Sequence, residues 1–91
     1  MSFDIDFLDP AFAPGTGTPE IAGFSTAEAV AFLRSLRGIN LVGCDVVEVA
    51  PAYDHAELTV NAAHRVVFEA LAGMAARRRD AAQAKPGPPA R

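Results

Sequence analysis

The stretch from Ile39 to Val49 constrains this chain most. Ile, Leu, Val and Cys dominate it, Gly43 interrupts it, Asp45 and Glu48 are its only charges, and Pro51 ends it. A strand with one wet face alternates apolar and polar residues, whereas near-continuous apolar character is the signature of a parallel strand buried on both faces. Parallel strands need a crossover, usually a helix, so this segment predicts an α/β architecture.

The flanking segments supply the other elements. Ser25-Thr26-Ala27-Glu28 has the form of a capping box, in which Ser25 accepts from the first helical turn and Glu28 reaches back. The helix it starts has apolar residues at three- and four-residue spacing (Ala29, Val30, Phe32, Leu33, Leu36), with Gly38 as a stop signal. Leu58 to about Ala76 returns to helical spacing through Val60, Ala63, Val67, Leu71 and Met74. Met1 to Ile5 reads as the end of a strand, which implies a chain that starts inside a larger structure. From Phe7 to Phe24, three prolines and three glycines exclude regular structure, and a loop this long in a compact domain is usually functional. The order is strand, long loop, helix, strand, loop, helix, tail. We expect one folded segment over 1–79 and a flexible Pro/Ala-rich tail over 80–91.

Composition removes several function classes. A 91-residue chain with 51% hydrophobic residues is one small domain at most, and it buries only about 60 to 65% of its unfolded surface. A net charge of −3 and a pI near 5.2 argue against a nucleic-acid partner or an anionic membrane surface. The basic run Arg77-Arg78-Arg79 suits a solvated helix end, where cations meet the negative pole of the helix. No apolar run reaches the ~18 residues of a membrane span. The single cysteine, Cys44, forms no internal disulfide and is read as a small buried hydrophobe, so a cytoplasmic location is expected.

Chemistry concentrates at the first strand's end. In Ser2-Phe3-Asp4-Ile5-Asp6 the alternation puts Asp4 and Asp6 on one side, where converging oxygens can hold divalent cations. Asp9, before Pro10, is read as organising a turn. His64 falls within a helix and reads as packed or surface-exposed. His55, in a loop, is a candidate contact for a partner or the far end of a substrate. Gly15-Thr16-Gly17 is not a phosphate cradle, because no lysine and no helix start follow it.

The order Ser2-Phe3-Asp4-Ile5-Asp6, Pro10, Pro14-Gly15, Gly23 resembles the third metal-binding signature of the ureohydrolases, the family of arginases, agmatinases and guanidino-acid hydrolases. Gly43-Cys44-Asp45-Val46-Val47-Glu48-Val49-Ala50-Pro51 with Tyr53-Asp54-His55 resembles the agmatinase-type terminal strand and loop. The resemblance implies the carboxyl-terminal βαβα part of a doubly wound, parallel-sheet, three-layer fold. It implies a manganese-dependent amidinohydrolase of polyamine metabolism that hydrolyses a linear guanidine, agmatine or similar, to urea and an amine by a hydroxide held between two manganese ions. Asp4 would bridge both ions and Asp6 would chelate one, because such cations prefer oxygen donors. Glu48 would accept hydrogen bonds from the substrate guanidinium, and Thr18 would line the same pocket through its hydroxyl.

The family motifs of the Gly-Gly-Asp-His and His-x-Asp-Ala-His-x-Asp kind, which supply the remaining ligands, do not occur here, and both histidines follow the second strand. The expectation is therefore a portion of such an enzyme, inactive alone, whose partners are the missing N-terminal part, a small guanidino substrate and, when complete, further copies of itself. The alternative is a non-catalytic fragment or interaction module. A haloacid-dehalogenase-type phosphatase also uses Asp-x-Asp after an apolar strand, but Leu8 stands where that family expects Thr or Val, and its later lysine and acidic pair are missing.

Overall fold

The computed structural model describes residues 1–84. Its elements are β1 (Ser2–Asp4), a 3₁₀ turn (Ile5–Phe7), α1 (Thr26–Ser35), β2 (Asp45–Val47), a second 3₁₀ turn (Pro51–Tyr53) and α2 (Leu58–Gln83). β1 and β2 pair in parallel with Ser2 opposite Asp45, Phe3 opposite Val46 and Asp4 opposite Val47. With α1 between them and α2 after, this is the βαβα arrangement expected from the sequence.

The strand predicted over Ile39 to Val49 is much shorter. Its ladder begins where Asp45 donates its amide to the Met1 carbonyl at 3.0 Å, and residues 39–44 face no partner strand among those described. Burial is correspondingly partial: Val46 packs against the core, Val47 is exposed, and Val42 is 88% exposed. Cys44 is exposed too, contrary to the buried role the apolar run suggested. A parallel strand acquires two buried faces only when layers cover both, and one face of this pair is bare.

Helix α1 starts as expected. Ser25 Oγ accepts from the Glu28 amide at 3.1 Å, and Glu28 Oε1 accepts from the Ser25 amide at 3.0 Å. It ends at Ser35, with Leu36 donating back to Leu33; Gly38 lies beyond the end and needs no left-handed backbone. Phe3, Ile5, Leu8, Ala13, Ala29, Leu33, Ala62 and Val66 form the core between the sheet and the two helices.

Helix α2 packs on a stripe offset from the one predicted, although Ala63 of the predicted set does pack against the core and Met74 is half-buried. Thr59, Ala62, Val66 and Ala70 are buried, whereas Val60, Val67 and Leu71 remain exposed beside Phe68. At ~100° per residue the two stripes lie roughly a quarter turn apart. The inner stripe is made of small residues, so α1 approaches closely, and the bulkier stripe is left outside. Glu69 sits on the inner side with its side chain only 4% exposed; Arg34 of α1 contacts it through Nε and Nη2, and Arg65, one turn earlier on α2, adds a second guanidinium. α2 continues to Gln83, past the boundary expected at 79, and most of the expected tail, from 85 onward, lies outside the described residues.

Candidate functional site

The site grows from the way β1 ends. After Asp4 the chain leaves the ladder and turns into the 3₁₀ segment; Asp4 caps that turn, its Oδ1 accepting from the Asp6 amide at 2.8 Å. The two aspartates are thus related by a capped turn, and the strand alternation assumed from the sequence stops at the first of them. Ile5, fully buried between them, fixes the turn to the core.

The Pro/Gly loop that follows is built rather than loose. Its neck is closed by the Asp9 amide donating to the Phe24 carbonyl at 2.9 Å and the Phe24 amide to the Phe7 carbonyl at 3.0 Å, with the Phe7 and Phe24 rings stacked at 4.4 Å. Asp9 organises the interior as expected: Oδ1 accepts from the Ala11 amide, and Oδ2 from the Ala22 and Gly23 amides. Gly23 is required there, since a Cβ would lie 2.6 Å from the Asp9 nitrogen.

This loop returns Thr18 to Asp6. Thr18 Oγ1 donates to Asp6 Oδ2 at 2.5 Å, a contact across 12 residues of chain. The other carboxylate oxygen, Asp6 Oδ1, is shielded from solvent and has no hydrogen-bond partner among the described residues. A buried carboxylate oxygen without a partner is costly, so this atom fits a cation.

Glu48 reaches the same end of the sheet from β2. The register pairs Asp4 with Val47, so Glu48 is the first residue past the ladder beside Asp4. Its backbone is left-handed, with φ of 70°, which a β-unbranched but bulky residue adopts at a cost of about 1 kcal/mol or more. Two residues on, the Ala50 amide donates to the Gly15 carbonyl at 2.7 Å, joining the Glu48 segment to the loop that carries Thr18.

The residue that sequence reasoning missed is Asp54. Two left-handed residues, Ala56 and Glu57, curl the chain so that Asp54 sits over the start of α2. Its Oδ1 accepts from the His55 and Thr59 amides at 2.9 Å each, and its Oδ2 from the Val60 amide at 3.0 Å, satisfying helix-end donors that would otherwise be orphaned. Desolvation pushes its pKa up, but hydrogen bonds from Thr59, Val60 and His55 outweigh this and lower it to about 2. An acidic residue shortly before an amphipathic run was the available signal; its spacing from the helix start is not that of an ordinary cap. His55 and His64 are exposed and far in sequence from Asp4 and Asp6.

Carboxylates Asp4, Asp6 and Glu48 therefore come to one end of the parallel pair, with Thr18 on Asp6. Among the described residues no group of three or more His, Cys, Asp or Glu is arranged to hold a metal ion. Oxygen donors with one unpartnered atom fit a hard divalent cation in kind, and as part of a larger donor set. No helix among the described residues is long and apolar enough to cross a membrane.

The sequence profile described as the arginase family matches residues 1–73, and the chain belongs to that family. It is 54% identical over 79 residues to an agmatinase of Photorhabdus laumondii, an alignment covering 87% of this chain and 26% of that protein. Among solved structures it resembles a hypothetical agmatinase from Burkholderia thailandensis (TM-score 0.81, 57% identity, 89% of this chain and 25% of that one). It also resembles proclavaminate amidino hydrolase from Streptomyces clavuligerus (TM-score 0.79, 47% identity, 81% of this chain and 25% of that one). The chain spans about a quarter of the length of these relatives.

Proposed function

We propose that this chain is the carboxyl-terminal portion of a manganese-dependent amidinohydrolase of the agmatinase type, contributing two metal ligands and the substrate-holding carboxylate to a complete site. The observation that carries this reading is the parallel register, which pairs Asp4 with Val47 and so leaves Glu48 as the next residue at the same end of the sheet. Asp4 and Asp6 would hold manganese. When bound, that metal supplies Lewis acidity and a water acidic enough to attack at neutral pH.

The chain's own residues do the rest of what can be assigned. Glu48 pairs with a guanidinium, a planar cation whose parallel N–H donors match a carboxylate's two oxygens. Its left-handed backbone turns it out of the ladder, and the Ala50 to Gly15 bond keeps that turn in place. Thr18 uses its proton on Asp6, and its oxygen lone pairs remain able to accept from a substrate N–H.

Completion of the site requires the other ligands and covers the exposed apolar surface. The bare sheet edges and the outer stripe of α2 (Val60, Val67, Phe68, Leu71) fit the docking of the remaining three quarters of an arginase-family domain. Co-expression of this chain with the complementary segment of a full-length agmatinase tests the reading. Agmatine hydrolysis that depends on manganese and on Asp4 supports it, and a stable complex with no hydrolysis of agmatine or any related guanidine refutes it. That second outcome would favour the non-catalytic interaction module, for which the same exposed apolar surface also speaks.

A further inference from the structure

We propose that Thr18 is a positioning residue for the metal centre: its hydroxyl holds the Asp6 carboxylate in the one orientation that presents Oδ1 to a divalent cation. This rests on the assignment of Asp6 as a metal ligand. The two oxygens of that carboxylate differ. One oxygen accepts the Thr18 proton at 2.5 Å, and the other is shielded and unpartnered. A carboxylate free to rotate about its terminal torsion would exchange its two oxygens, because that torsion is broad and roughly two-fold. A hydrogen bond to one oxygen breaks the equivalence and leaves a single atom facing inward.

Thr18 is itself held. Its loop is anchored at Gly15, whose amide donates to the buried Thr59 hydroxyl at 2.7 Å and whose carbonyl accepts from Ala50. A Cβ on Gly15 would lie 2.8 to 2.9 Å from Asp54 and Thr59, so the loop is pressed against the start of α2 with no room to slide. Gly15 is thus fixed against Asp54 and Thr59, and three residues further along the same loop Thr18 meets Asp6. A threonine in a glycine-rich turn often only satisfies local backbone. This one bonds a side chain 12 positions away. Partners of ligating groups that fix ligand orientation typically change metal affinity about 10- to 100-fold when removed.

The test uses a hybrid in which residues 1–73 replace the matching segment of a full-length agmatinase, because this chain spans only a quarter of such proteins. Manganese titration followed by electron paramagnetic resonance reads the affinity of each ion, and steady-state kinetics with agmatine at limiting and saturating manganese reads kcat and KM. Thr18→Val keeps shape and removes the donor. It should weaken one manganese equivalent about 10- to 100-fold in the titration without substrate, lower activity when manganese is limiting, and be restored by Thr18→Ser. Wild-type affinity for both ions in Thr18→Val, or no recovery in Thr18→Ser, overturns the assignment. If Thr18→Val does not fold, Thr18→Ala is compared with Thr18→Ser: weaker manganese binding in the alanine variant supports it, and equal binding overturns it. Asp4→Asn separates this inference from the reading beneath it. Manganese lost in Asp4→Asn but kept in Thr18→Val defeats only the positioning role, whereas manganese kept in both defeats the metal-centre reading.

Discussion

The amide of Gly15 donates to the hydroxyl of Thr59 across 44 residues of chain, and the Asp54 carboxylate lies against the same glycine with no space for a methyl group between them. Three segments meet at this point: the Pro/Gly loop, the turn after β2 and the first turn of α2.

Gly15→Ala should therefore destabilise a folded hybrid by about 1 to 3 kcal/mol, the usual cost of forcing a methyl group into a closed contact. Urea unfolding measures it. A change under about 0.5 kcal/mol would mean that the contact opens freely.

The start of α2 should be acid-sensitive through Asp54. Its folded pKa, about 2, is below its ordinary value of 3.8, so ionised Asp54 favours the folded state. That contribution is complete above about pH 4 and is lost as pH falls through the folded value. Asp54→Asn should flatten the acid limb of helix content followed by circular dichroism between pH 4 and 2. Unchanged acid limbs in the two proteins would show that Asp54 does not govern this end of the helix.

Asp4→Asn and Glu48→Gln should fail differently in the hybrid enzyme. Glu48→Gln keeps size and one acceptor but loses the charge facing the guanidinium, a loss of about 2 to 4 kcal/mol, or on the order of 30- to 1000-fold in kcat/KM, with manganese retained. Asp4→Asn should lose activity and manganese together. Elemental analysis beside the kinetics distinguishes them, and a Glu48→Gln protein depleted of manganese would contradict the substrate-holding role.

Alone, the 91-residue chain should bind manganese weakly and self-associate. Asp4 and Asp6 leave an ion short of ligands, and exposed Ile21, Val42, Phe68 and Leu71 invite contact between copies. Calorimetric titration and sedimentation check both. Micromolar binding of two manganese ions, or a monomer at high concentration, would count against the partial-site reading.

Local signals were legible where one residue decides the outcome. The Ser25/Glu28 box starts α1 because both partners lie within a single turn, and Asp9 orders its loop because a short acceptor before proline has amides within reach. The strand over Ile39 to Val49 was overread because apolar character specifies burial in a complete sheet, while the ladder needs a paired strand, and β1 reaches back only as far as Ser2, opposite Asp45. The inner face of α2 was misread for a related reason. Val60, Val67 and Leu71 are the more hydrophobic stripe, yet the close approach of α1 selects Ala62, Val66 and Ala70. Asp4, Asp6 and Glu48 were singled out by motif order; the Thr18 to Asp6 bond and the hydrogen bonds of Asp54 depend on loops whose path no periodicity encodes.

Because the ladder pins Asp4 against Val47, the spacing between the carboxylates at this end is set sideways, by hydrogen bonds between neighbouring strands, and not by the 40-odd residues that connect them. The connection from Leu36 to Cys44 is consequently free to lengthen, shorten or change composition over evolutionary time without moving Glu48, since loop length costs stability only slowly. A single-residue insertion between Val47 and Glu48 would have no such latitude: it would carry the glutamate one residue further from the ladder and out of line with Asp4.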